Sequence, residues 1–159
     1  MEPTDLVQTG QARRLAHVRQ QGGWEVGELA LLLDISFEAY RDLEDFDEEI
    51  VDCISFNQLT KLASTLGLDL REFFDAGSIG RLTFAEFAVR IQRSAGVHPA
   101  SLAAFEERVG WELRRHLEDP ETFAELPAIA LADIGAAVGV DWRSFLPDGP
   151  SAVEVLEDG

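Results

Sequence analysis

The stretch LTKLASTLGLDLREFF, residues 59–74, decides the fold. Leu59, Leu62, Ala63 and Leu66 recur at helical spacing, and Gly67 stands where a helix ends by entering the left-handed region. LDLREFFD then reads as a short closing helix. Upstream, Ser55 is placed to cap the helix FNQLTKLASTLG. Further back, QARRLAHVRQQ (11–21) suits a first helix stopped by Gly22-Gly23, and a second runs from about Glu25 to Leu33 with Val26, Leu29, Ala30 and Leu33 at core spacing. Asp34-Ile35-Ser36 reads as a tight turn, with Ser36 the N-cap of a third helix, FEAYRDLEDF. That helix puts Phe37, Tyr40 and Leu43 on one side and Glu38, Asp42 and Asp45 largely on the other. No stretch alternates as a strand does, so the expected class is all-α.

Hydrophobic spacing, turn and closing helix follow one another in a familiar order. "LA" at 29–30, "LLDIS" at 32–36, "LE" at 43–44 and residues 59–74 together resemble the lambda-repressor/Cro-type (XRE family) helix-turn-helix domain over roughly residues 13–75. The resemblance implies a bundle whose third helix enters the major groove of DNA. It also implies a phosphate-binding glutamine at the start of the second helix, where this chain has Val26 flanked by Glu25. The exposed N-terminal positions of the third helix, which in DNA readers carry Arg, Gln, Asn, Ser or Thr, hold Phe37, Glu38 and Asp42, with Arg41 the only base. The glycine and proline that commonly follow in the family give way to Asp45-Phe46 and an insertion, DEEIVDCI, which fills the following loop with carboxylates.

Composition points the same way. The 159 residues are 46% hydrophobic and 27% charged, a globular profile, and 30 acids against 13 bases give a formal net charge of −17. Such a field repels phosphate backbones and attracts basic partners. Non-specific DNA binding rests on Lys and Arg releasing counterions from phosphates, whereas base readout adds only about 1–3 kcal/mol per bidentate pair. The acidic face of Phe37, Glu38, Arg41, Asp42, Glu44, Asp45, Phe46, Asp47, Glu48 and Glu49 is therefore expected to bind a basic protein: another regulator's DNA-binding face, a polymerase subunit, a nuclease or a toxin. DNA itself is the alternative partner, disfavoured by charge, and would be met by Arg13, Arg14, Arg19 or the arginines of the C-terminal half in an antitoxin-like regulator.

A shift of about 73 positions lays GGWEVGELALL (22–32) over AGVHPASLAAF (95–105) and LGLDLREFF (66–74) over VGVDWRSFL (138–146), with LED at 43–45 over LED at 117–119. The expectation is two tandem lambda-repressor-like helix-turn-helix bundles with an acidic tail: a unit at 10–76, a degenerate second unit at 80–147, and a flexible segment at 148–159 in which Val153, Val155 and Leu156 offer a docking strip. The second unit's counterpart of the DNA-reading helix, RVGWELRRHLED, offers Arg108, Trp111, Arg114 and Arg115 as a candidate basic contact patch, open to three readings: a solvated face with Glu107–Trp111 and Arg114–Glu118 at complementary i, i+4 spacing, a contact with the acidic first unit or a partner, or a DNA contact.

Chemistry-bearing motifs are sparse, and the expectation is a protein that is not an enzyme and uses no cofactor. His17, His98 and His116 are scattered, without a carboxylate or cysteine at metal-ligand spacing, and are expected at the surface. DFDEEIVD fails as a calcium loop: with Asp45 as first ligand, Ile50 falls where glycine is needed and Phe56 where the bidentate glutamate belongs. Cys53 cannot pair within the chain and reads as a small packed hydrophobe. With no apolar run at the start MEPTDLVQTGQARRL and none long enough for a membrane span, the expected location is cytoplasmic; a homodimer is compatible with the sequence.

Overall fold

The computed structural model describes residues 10–96 and 98–148. The first half comprises α1 (Gln11–Gln21), α2 (Val26–Leu33), α3 (Phe37–Asp45), α4 (Glu49–Asp52), α5 (Phe56–Leu66) and α6 (Leu70–Phe73). The second half comprises α7 (Phe84–Ala95), α8 (Pro99–Val109), α9 (Arg114–Glu118), a 3-10 segment (Pro120–Glu125), α10 (Ala128–Val138) and a second 3-10 segment (Trp142–Phe145). The class is all-α; the docking strip at Val153, Val155 and Leu156 lies outside the described residues.

Local chemistry sets the helix boundaries. Ser36 Oγ accepts the Ala39 N–H at 3.0 Å, opening α3. Ser55 and Gln58 bond reciprocally at the start of α5, and Thr83 and Glu86 do the same for α7, each pair satisfying two amides that a helix start would otherwise leave unpaired. α2 and α3 are joined through Asp34, which adopts the left-handed conformation at φ 58 without being glycine. The acidic connection after α3 is not a plain loop: Ile50 and Val51 are buried, and that burial folds Glu49–Asp52 into a helical turn. RVGWELRRHLED is not a single helix either. α8 carries Arg108 and ends at Val109, Gly110 takes the left-handed conformation at φ 84, and a new helix begins at Arg114. Of the i, i+4 complements expected there, Glu107–Trp111 is split by Gly110, with Trp111 Nε1 donating to Asp133, while Arg114 and Glu118 stay one turn apart on α9 and form no ion pair among the described residues.

The two halves follow a similar element order: three helices, a short element, a long helix and a short closing turn, with the third helix nine residues long in the first half and five in the second. The ends of α5 and α10 are built alike. Gly67 and Gly139 have φ 70 and 72, the Leu68 N–H donates to the Ala63 carbonyl at 2.8 Å, and the Val140 N–H donates to the Gly135 carbonyl at 2.9 Å. Asp69 and Asp141 then cap the closing elements by accepting the Arg71 and Arg143 N–H groups. The halves also exchange equivalent contacts. The Arg71 guanidinium donates to the carbonyls of Arg143, Leu146 and Ile79, while that of Arg143 donates to the carbonyls of Phe74 and Asp75. Ser55 and Pro127, the residues preceding α5 and α10, meet in an isolated antiparallel bridge.

One buried cluster runs through both halves, from Leu15, Leu29, Tyr40 and Leu62 to Phe87, Leu131 and Leu146. Phe74 meets Trp142 edge-on at 5.0 Å between centroids, and Phe84, Phe87, Phe123 and Phe145 form an aromatic group beside them. Truncating a fully buried member such as Leu62 to alanine removes about 2–5 kcal/mol. That core holds α3 by its inner stripe, Tyr40 and Leu43, so its other side faces solvent.

Candidate interaction face

The outer side of α3 carries Phe37, Glu38, Arg41, Asp42 and Asp45, and the chain continues through Phe46 to Glu48. Helical spacing aligns Glu38, Asp42 and Asp45 in one row and Phe37, Arg41 and Asp45 in the next. Phe37 is 48% and Phe46 55% exposed, unusual for side chains of this size in a folded core-bearing chain. Arg41 lies 6.0 Å from the centroid of the Phe37 ring. Leu31, near the end of α2, is 82% exposed and had no functional signal in the sequence.

The remaining acids of this segment serve the fold. Glu44 turns inward to Arg19, whose Nε and Nη2 donate to the two carboxylate oxygens at 2.6 and 3.1 Å. With side chains only 13% and 10% exposed, neither partner is free for an outside contact, and Arg19 is thereby removed from any DNA-facing set. The bond to Glu44 raises the Arg19 pKa above its usual value. Tyr40 is buried beside the pair, and burial together with Glu44 pushes its phenol far above the usual range, so it stays neutral. Asp47 accepts the N–H groups of Gly10 at 3.1 Å and Ala12 at 2.9 Å. It caps α1 from a distance, where the helix's own N-cap is a side-chain-less Gly10. Glu49 is half-buried and lies beside the Cys53 thiol.

What is left is a free set of Glu38, Asp42, Asp45 and Glu48 framed by Phe37 and Phe46. The last turn of α3 contains Asp42, Glu44 and Asp45 and no base, against the negative end of the helix dipole. Each such charge costs about 0.3–1 kcal/mol at an exposed site. The negative field extends onto the second half: the Asp52 carboxyl is raised by desolvation and by the carboxylates of Glu49, Glu48 and Asp133.

Several of the basic residues are already engaged, while Lys61, Arg90 and Arg93 are exposed with no ion pair among the described residues. Arg14 lies 4.9 Å from the Phe73 ring centroid and 3.8 Å from Glu72, Arg108 stacks 4.9 Å from the Phe105 centroid, and Arg115 pairs with Glu125 at 2.8 Å. Arg13 and Arg114 extend into solvent.

Two residues lie where the sequence did not suggest. Cys53 is exposed rather than packed, and desolvation, with Glu49, Asp52 and Asp42 around it, pushes its thiol up to about 12, which favours the protonated form at neutral pH. His116 is buried, its Nδ1 2.6 Å from Thr122 Oγ1 and its ring stacked on Phe123 at 5.0 Å; its place between Leu113 and Leu117 on one helical stripe was the available signal. His98 caps α8 by accepting the Ala100 N–H. Among the described residues no group of three or more His, Cys, Asp or Glu side chains is arranged to hold a metal, and no helix is long and apolar enough to cross a membrane. No protein-family model, curated protein or solved structure matches the chain.

Proposed function

We propose that this chain is a non-enzymatic regulatory interaction protein of helix-turn-helix descent, whose α3 face binds a basic protein partner in place of DNA. The observation that carries this reading is the free set of Glu38, Asp42, Asp45 and Glu48 beside the exposed rings of Phe37 and Phe46, two of them, Asp42 and Asp45, in the last turn of α3 where negative charge is destabilising. Aromatic anchors ringed by charge are a usual composition for the energetic centre of an interface. The partner class is a DNA-binding regulator, polymerase subunit, nuclease or toxin, approached through its phosphate-binding surface. The test is displacement of a labelled duplex from such a protein. The wild-type chain competes, and the variant E38Q/D42N/D45N/E48Q does not; equal competition by both removes the α3 face from the account. Asp47 is left untouched in this variant because its loss would uncap α1.

A second reading, a sequence-specific DNA-binding regulator of the XRE type, is favoured by one feature, the three-residue connection of α2 to α3 through a left-handed Asp34. Against it stand Glu25 and Glu28, which bond reciprocally at the start of α2 where a phosphate contact would be made.

A further inference from the structure

The described fold ends beside one of its few basic surfaces. Asp148, the last residue described, accepts a bond from Arg81 Nη1 at 3.2 Å and lies 3.7 Å from Arg71 Nε. The chain therefore departs next to Arg81, two residues before Thr83, the N-cap of α7. α7 packs on the core through Phe87, Ala88, Ile91 and Ala95. Its outer stripe of Glu86, Val89, Arg90 and Arg93, at i, i+3, i+4 and i+7, faces solvent. Glu86 is occupied at the helix start, where its carboxylate accepts the Thr83 N–H at 2.9 Å, and Arg90 stands one turn from it without closing an ion pair. What remains is Val89, 43% exposed, beside two arginines that have no ion pair among the described residues.

We propose that this α7 stripe is the docking site of the chain's own residues 149–159, GPSAVEVLEDG. That segment carries Val153, Val155 and Leu156 with Glu154, Glu157 and Asp158 and no base, the complement of a valine flanked by arginines. Reach allows it. Eleven residues span at most about 36 Å at roughly 3.3 Å each, twice the roughly 18 Å that the twelve residues of α7 occupy. Charge selects it, because on a chain of net charge −17 an acidic segment is repelled from most of the surface and attracted where Arg90 and Arg93 stand together. Exposed ion pairs contribute little one by one, so the site is weak between separate molecules. Tethering offsets this, since a short linker holds the segment at an effective concentration of about millimolar. Docked in cis, the segment neutralises the α7 arginines, so that a basic partner meets no like charge on that helix. The inference stands apart from the α3 face: different residues, on the other half.

The test uses the full chain, labelled with nitrogen-15 and carrying a nitroxide attached through Ala152→Cys, with Cys53→Ser removing the only native thiol. The expected result is paramagnetic relaxation enhancement at the Val89, Arg90 and Arg93 amides well above that at Glu38 and Asp42 on α3. Arg90→Gln and Arg93→Gln introduced together lower it about threefold or more, as the loss of two exposed ion pairs requires. Glu154→Gln, Glu157→Gln and Asp158→Asn together give the same loss, whereas Lys61→Gln, an exposed change on α5, leaves the enhancement as it was. Docking is overturned by enhancement spread evenly over the surface, or by enhancement that survives the paired arginine changes in a variant whose spectrum is otherwise native. Enhancement at α7 that appears only when spin-labelled chains are mixed with nitrogen-15 chains carrying no nitroxide also overturns it, because the segment then docks on a second copy.

Discussion

Arg19 of α1 is held by Glu44 of α3 and bonds the Trp24 carbonyl, whereas Glu118, which the sequence shift sets against Glu44, is exposed and has no ion-pair partner among the described residues. The same carboxylate position is structural in one half and exposed in the other. The difference teaches that a repeated element order does not divide stability evenly: at this one position the first half anchors a mostly buried arginine, and the second leaves Glu118 to solvent. A like contrast runs through the third helices, where α3 buries the neutral phenol of Tyr40 and α9 buries the titratable ring of His116.

The largest effect that separates the halves is at the paired carboxylates. Glu44→Gln leaves the Arg19 guanidinium in a mostly buried site without its counter-charge and is expected to cost about 3 kcal/mol, whereas Glu118→Gln stays within about 0.5 kcal/mol. Urea denaturation of both variants measures this; similar midpoints would mean the two carboxylate positions are energetically alike. Next is Gly135→Ala. A Cβ there would stand 2.5 Å from the Val140 carbonyl oxygen, so α10 must shift, at about 1–3 kcal/mol, although the equivalent position of α5 carries Ala63. An unchanged thermal midpoint would mean that the backbone there yields freely. Asp47→Ala removes the cap of α1 and should cost about 0.5–2 kcal/mol, with hydrogen exchange accelerated first at the amides of Gly10 and Ala12.

Much of this was legible in the sequence because it is local. The capping serines at 36 and 55, the apolar stripe of α5 and the left-handed ends at Gly67 and Gly139 are all written within a few residues. The Arg19–Glu44 pair and the capping of α1 by Asp47 join residues far apart in sequence, and no spacing rule marks them. An acidic run therefore read as one face when Glu44, Asp47 and Glu49 turn back toward the fold. The break of RVGWELRRHLED at Gly110 was missed because the charged pattern continues through it, while the left-handed conformation that ends α8 leaves no mark on that pattern beyond a single glycine.

Two smaller effects sharpen the comparison. Asp42→Asn and Asp45→Asn together are expected to stabilise the chain, by about 0.3–1 kcal/mol each, since they relieve charge at the negative end of α3; a loss of stability would show that these carboxylates have structural partners. Stabilisation together with loss of binding is the pattern of a surface kept for its partner. His116 is shifted below its usual pKa by burial and by the nearby charge of Arg115, so the folded form resists protonation. Its contribution is fully present above the unfolded value near 6.5 and is lost as pH falls from there toward the lower folded value. The thermal midpoint should decline between about pH 7.5 and 5.5, and His116→Leu should flatten that decline; an identical slope in the variant assigns it to other groups.

The most direct measurement is fluorescence anisotropy of labelled duplexes, one of random sequence and one from the gene's own upstream region, titrated with the chain at about 50 mM salt, where phosphate attraction is strong. An acidic interaction module leaves the anisotropy of both unchanged. Tight binding to the upstream duplex that falls steeply as salt is added would contradict the account, and would show that the arginines, not the carboxylates, form the working surface.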